Sequence, residues 1–335
     1  MTNSTEAEEL RATIITHAVF IVEGLALVIC NGLLFLIISR HEALRSRKEF
    51  MVIAAQAFVD ALCGLGTAMA GIRRIPLFLD GRHTQAVSMR SCFFTSHNML
   101  WFYFLPAQNF MFVVVSLDRC LCVTAPLRYM GWGRPYATSL IGGAALLAAG
   151  WWLNALQSAW PHTKPEQQLV CHGFMGKEEY CEVMDRYLNV TASVTSVLIY
   201  ILIPIVYKRK STVVGLQSKS TDPSVKREQA FQRKLTKTTG INCGCTFVLV
   251  VLPWLFSLTA LLIPSLKPYY QVVNDYAFFL ANINPLLNLS IYSVKQKEIQ
   301  KGLVNLFNSD MPMSLQQWTK STTVPVKKIQ KETLF

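Results

Sequence analysis

Charge is what this sequence has least of. Acidic and basic side chains make up only 16% of its 335 residues, well below the roughly 25% of soluble domains. A chain so poor in charge cannot clothe a water-facing surface, so much of it must face lipid or the inside of a bundle. The nine cysteines lack metal-ligand spacing: Cys120-Leu-Cys122 and Cys243-Gly-Cys245 do not match a zinc site, and Cys30 and Cys63 lie inside apolar runs. No His/Glu metal motif or nucleophile arrangement appears, which argues against an enzyme. No DNA-binding motif accompanies the +12 net charge, so no nucleic-acid partner is expected. Long internal repeats and paired interrupted helices, the marks of a two-halved transporter, are also missing.

Apolar residues, by contrast, reach 52%. They gather in seven windows near 12–38, 50–72, 93–118, 137–160, 188–207, 241–263 and 270–293, each about the 20 residues a helix needs to cross a bilayer. The expected fold is an all-α membrane bundle of seven helices. A short outer tail (1–11) precedes the bundle (12–294). An amphipathic juxtamembrane helix (295–308) and a flexible tail (309–335) come after it. The first window does not read as a cleaved signal peptide, being long, without a basic start and continued by a basic loop.

Lysine and arginine set the orientation. One set of loops carries four (Arg40, Arg45, Arg47, Lys48), three (Arg119, Arg128, Arg134) and nine (Lys208 to Lys237), with seven more from Lys295 onward, against nine on the other side. The positive-inside rule puts the N-terminus outside and the C-terminus in the cytoplasm, as expected for a multi-pass plasma-membrane protein contacting membrane lipids. Asn3-Ser-Thr5 is then an outer glycosylation acceptor.

Several polar blocks lie within the apolar windows or at their ends, and an ionisable group at mid-membrane depth such as Asp60 is costly and functional by default. They are Asn31, Ala57-Phe-Val-Asp60, Ser116-Leu-Asp118-Arg119-Cys120 with Ala125-Pro126-Leu127-Arg128-Tyr129, and Asn288-Leu-Ser-Ile-Tyr292. Together they resemble the rhodopsin-like (class A) G-protein-coupled receptors over roughly residues 18–303. Leu44-Arg-Ser-Arg-Lys-Glu-Phe50, and Cys92 ahead of Trp101, resemble the nematode serpentine chemoreceptors of the Srsx type. A class A neuropeptide receptor is the nearest alternative, and a seven-span transporter or channel the alternative of another class.

The resemblance implies a receptor that binds a small molecule outside and activates a heterotrimeric G protein. Its switch residues would be Asp118, Arg119, Tyr207, Phe247, Pro253, Asn288 and Tyr292. Asp60, Gln108, Asn284 and Asn288 would form a polar cluster that could hold a sodium ion; hydrogen-bonded glue without an ion is the other reading. Cys92 would bridge to Cys171 or Cys181. The expected ligand cavity is mostly apolar and aromatic, drawn from His97, Asn98, Trp101, Leu105, Asp275, Tyr276 and Phe279. Trp101 stands where amine receptors carry an aspartate, which disfavours a biogenic amine. Thr319, Ser321, Thr322 and Thr323 are expected phosphorylation sites for a receptor kinase and arrestin. Four positions depart from the family pattern: Cys120 for tyrosine, Arg233 for an acid, Val251 for tryptophan and Leu289 for proline. Glu23 reads as an isolated buried acid without an identifiable partner.

Overall fold

The computed structural model describes residues 2–214 and 223–309. In chain order the helices are α1 (Thr2–Arg40), the turn α2 (Glu42–Arg45), α3 (Lys48–Leu79), α4 (Met89–Phe93), α5 (Ser96–Thr124), α6 (Pro126–Gly131), α7 (Arg134–Ala159), α8 (Glu179–Val214), α9 (Pro223–Thr246), α10 (Leu252–Leu262), α11 (Tyr270–Lys295) and α12 (Lys297–Ser309). A π-helical turn, Phe247–Val251, joins α9 to α10 into one rod. Among the described residues, seven helices are long and apolar enough to cross a membrane.

The helices overrun the apolar windows. Residues 2–11, expected as a tail, continue α1, because Glu, Ala, Leu and Arg are good helix formers wherever the chain runs. The third window splits after Phe93. Ser88 caps α4 by accepting from the Ser91 amide at 3.1 Å, and Thr95 Oγ1 donates to the Cys92 carbonyl at 2.8 Å before α5 begins. The all-α expectation also misses a two-stranded antiparallel ladder, β1 (Ala86–Ser88) on β2 (Pro165–Gln168), with Val87 opposite Gln167. The amphipathic helix starts two residues later than expected, at Lys297, after Gln296 leaves helical geometry.

Small residues allow α1 and α3 to lie against each other. A Cβ on Gly24 would come within 2.5 Å of the Gly64 carbonyl oxygen, and one on Gly71 within 2.5 Å of the His17 carbonyl oxygen. Lipid tails are as apolar as leucine, so close backbone contact and dispersion, not hydrophobic exclusion, drive such seams. At the other end of the bundle Ile299 of α12 is buried among Ile37, Leu44 and Phe50, tying the juxtamembrane helix to α1.

The π turn changes the face that the sixth span presents. Its extra residue rotates the remainder of the helix about its axis. Phe247, expected among the switch residues beside Pro253, is 42% exposed and faces outward, whereas Val251, Pro253 and Trp254 are buried. Trp254 thus occupies an inward position although it comes after the proline rather than before it.

Gly24→Leu should overpack the α1–α3 seam at a cost of about 1–3 kcal/mol. The expected result is a lower thermal midpoint of the purified protein in detergent, with Gly32→Leu, at a glycine with nothing within 4 Å of the added Cβ, as the matched control.

Candidate functional site

The end of the bundle carrying α4 is closed by the loop after β2. Cys92 and Cys171 are disulfide-bonded, with Cα atoms 5.1 Å apart. Cys181 remains a buried thiol that accepts from Asn154 Nδ2 at 3.6 Å. Cys171 has a left-handed backbone, φ 46°, unusual for a residue with a side chain and kept only where the surroundings over-determine it. Here they do. Its carbonyl accepts from Arg74 Nη2 at 3.1 Å, His97 Nε2 at 3.1 Å and Asn98 Nδ2 at 3.3 Å. His97 and Asn98, expected to touch ligand, therefore serve to hold the loop.

Beneath the loop lies a cavity of about 130 Å³ bordered by Trp101, Leu105 and Asp275, with Phe20, Trp254 and Phe278 beside them. Trp101 Nε1 donates to Thr67 Oγ1 at 3.4 Å, and its ring meets Phe278 edge-on at 5.5 Å. Tyr276 and Phe279 do not border it. Tyr276 is 67% exposed, and Phe278 takes the inward place, since one residue along a helix is a rotation of about 100°.

The lining is mostly apolar and aromatic, and six charged side chains, of which only Asp275 was expected there, also border it. Lys177 is paired with Asp185, which also accepts from Trp151 Nε1 at 2.5 Å. Arg186 pairs with Glu182 at 3.4 Å and lies over the Trp254 ring at 4.7 Å. Tyr270 donates to Glu182 at 2.6 Å. Arg74 lies over the Trp101 ring at 5.5 Å and shares the cavity with Asp275. Burial pushes the Lys177 amine down to about 8. Burial and the Arg74 charge push His172, in the loop, down to about 3, so it is neutral at physiological pH. The Arg73-Arg74 pair near the end of an apolar run was the sequence signal for Arg74, and the i,i+4 spacing of Glu182 and Arg186 was the signal for their pair; nothing in the pattern announced Lys177 with Asp185.

Midway along the bundle, Asp60 is fully buried. Its Oδ1 accepts from Gln108 at 2.7 Å and Gln56 at 2.8 Å, and its Oδ2 from Asn288 at 3.1 Å. Asn288 in turn accepts from Asn242 Nδ2 at 2.8 Å. Asn284, expected at Asp60, instead accepts from Thr246 Oγ1 at 3.2 Å. It lies one helical turn before Asn288, on much the same face but about 6 Å along the axis, and so meets Thr246 instead of Asp60. Glu23 is not isolated: Asn282 Nδ2 donates to it at 3.2 Å.

At the far end of α5, Arg119 Nε donates to Asp118 Oδ2 at 2.9 Å, and the pair is buried. Tyr129 completes a clasp that the sequence did not announce. Its hydroxyl donates to Asp118 Oδ1 at 3.0 Å and accepts from Arg119 Nη2 at 3.0 Å. Burial raises its phenol pKa, so it stays a donor. Lys48 donates to the Tyr129 carbonyl and sits 4.0 Å over its ring. Tyr292 is buried with Leu34, Phe50 and Ile53. The side chains of Tyr207 and Arg233 lie outside the described residues.

A buried Asp-Arg pair at one end of a seven-helix bundle and a disulfide-closed cavity at the other form a receptor-like arrangement, and comparison with known proteins identifies it. Residues 26–307 match the family described as serpentine type 7TM GPCR chemoreceptor Srsx. The chain belongs to this family. Curated relatives include human olfactory receptor 10G4, 25% identical over 292 residues covering 84% of this chain and 86% of the relative. The dog olfactory receptor-like protein OLF4 is 24% identical over 91% of this chain and 94% of its own. Human olfactory receptor 10G8 is 27% identical over 84% and 86%. This Srsx protein is accordingly a multi-pass chemosensory G-protein-coupled receptor and not an enzyme, with a G protein and a small-molecule ligand as the partners its family implies.

The Srsx receptor's mid-bundle acid can be tested directly. Asp60→Leu strands the amide donors of buried Gln56 and Asn288 and of half-buried Gln108, at about 1–3 kcal/mol for each buried one. The thermal midpoint should fall sharply in Asp60→Leu and much less in Asp60→Asn, which retains an acceptor.

Proposed function

We propose that the disulfide end faces the extracellular space, binds a compact small molecule against Trp101, and thereby frees Arg119 to engage a heterotrimeric G protein at the cytoplasmic face of the plasma membrane. The observation that carries this reading is the position of Trp254. It borders the cavity and sits where the π turn meets Pro253, a joint whose missing backbone hydrogen bond lets the helix bend. A ligand pressing on Trp254 and Phe278 acts on α10 and α11 together. Asn288 on α11 and Asn242 on α9 relay that shift to Asp60 and toward the end where Asp118, Arg119 and Tyr129 are clasped.

A space of about 130 Å³ is close to the roughly 150 Å³ void that accommodates benzene in an engineered core. That favours a small volatile or solute over the neuropeptide alternative. The residues around Asp60 do not fit the sodium ion implied by the resemblance, because a cation needs oxygen ligands. Gln56, Gln108 and Asn288 turn N–H groups toward the carboxylate, and no step here uses an ion. Glycosylation at Asn3, and phosphorylation by a receptor kinase with arrestin binding at Thr319, Ser321, Thr322 and Thr323, belong to the same reading; the Asn3 side chain and those four residues lie outside the described ones.

The test is signalling in cells carrying a broad G-protein readout. Arg119→Ala should abolish the response at unchanged surface expression; a response that persists at full size would remove Arg119 from the switch. Tyr129→Phe deletes hydrogen bonds to charged groups worth about 1.5–3 kcal/mol, so basal signalling should rise roughly tenfold if the clasp restrains the resting state. Trp101→Ala should shift the dose–response curve of any agonist found by screening and leave basal output unchanged.

A further inference from the structure

Beside the Arg119 clasp, the loop joining α1 to α3 and the α6–α7 connection border an open pocket of about 290 Å³ whose basic residues the signalling scheme does not use. Arg47, Lys48 and Arg134 line it, with Glu49 as the one acid. Lys48 forms the floor, its amine donating to the carbonyls of Tyr129 and, at 2.7 Å, Trp132. Arg134 is exposed at the rim, and Arg47 is half-buried there with Nε 3.9 Å from Glu49. Lys48 and Arg134 are also the first residues of two membrane-spanning helices, and neither helix has a side-chain cap. Their leading amides and positive dipole ends add to the side-chain charge.

We propose that this pocket binds the phosphorylated headgroup of an anionic membrane lipid, a polyphosphorylated inositol lipid in particular. Three features select that chemistry. The net charge of the lining is positive, and two of the cations are guanidinium groups, which take phosphate oxygens in pairs. The pocket lies at the first residues of α3 and α7, two helices long and apolar enough to cross a membrane, with Trp132 and Tyr136 stacked at 4.8 Å beside it, the residue types enriched at membrane interfaces. Its volume exceeds a single phosphate and suits a ring bearing several. Basic pockets between spans on the cytoplasmic side select such headgroups for the same reasons. Because Tyr129 is both a wall of the pocket and the third member of the Asp118–Arg119 clasp, a bound headgroup stiffens the clasp and favours the resting state. The proposal rests on the receptor reading only for this regulatory effect and for the leaflet that supplies the lipid.

The experiment places the full chain in nanodiscs of phosphatidylcholine alone or with added phosphatidylinositol bisphosphate or phosphatidylserine. Discs present both leaflets, so a negative result leaves the orientation and receptor reading standing. Bisphosphate discs should raise the thermal midpoint above phosphatidylserine discs, and native mass spectrometry should show the lipid retained. The double variant Arg47→Gln/Arg134→Gln should keep its midpoint in phosphatidylcholine but bind the lipid roughly thirtyfold more weakly, given about 1 kcal/mol per basic residue. Equal stabilisation by phosphatidylserine, or retention that ignores the double variant, overturns the proposal. A full shift produced by soluble inositol trisphosphate without lipid also overturns it, by assigning the pocket to a free phosphate.

Discussion

A backbone inside hydrocarbon has no water to bond with, and nearly everything in this protein depends on that. Each crossing must satisfy its own N–H and C=O groups, which makes it a helix. The same rule applies to side chains: a polar atom placed at membrane depth needs a partner on a neighbouring helix. Asp60 with its three amide donors, Glu23 with Asn282, and Ser116 with Ser196 at 2.6 Å are solutions to that requirement. They link the first and seventh spans, the second to the third and seventh, and the third to the fifth. The polar groups therefore choose neighbours in a bundle whose apolar surfaces discriminate little between them.

The two ends are built on opposite plans. At the disulfide end a loop carbonyl is held by three donors and a covalent bond, so the roof of the cavity is rigid. At the other end, among the described residues, Asp118, Arg119 and Tyr129 form a buried knot of side-chain hydrogen bonds. Between them the sixth span carries its irregularity, a π turn beside a proline. A braced loop at one end, an irregular turn in the middle and a buried ion pair at the far end suit the two-state transducer proposed above.

This division of labour makes the divergent positions intelligible. Val251 replaces the expected tryptophan, yet the π turn brings Trp254 to the inner face, where Arg186 covers its ring. Cys120 replaces the tyrosine usual after the Asp-Arg pair; the phenol that reaches that pair is Tyr129, a residue of the family-like loop block, nine residues later on α6.

By itself the sequence determined the number of crossings, the family, the buried Asp118–Arg119 and Asp60–Asn288 elements, and the cysteine from which the disulfide starts. Those features arise from apolar periodicity, charge distribution and local motifs, all of which are short-range. Only the tertiary structure decided between Cys171 and Cys181, moved His97 and Asn98 from ligand contact to loop support, and turned Phe278 inward in place of Phe279. It also gathered Arg74, Lys177, Glu182, Asp185, Arg186 and Asp275 around one cavity. The physical reason is rotational. A helix turns about 100° per residue, so one bulge or an offset of one residue reassigns a face, and ion pairs between distant segments form only after the faces are set.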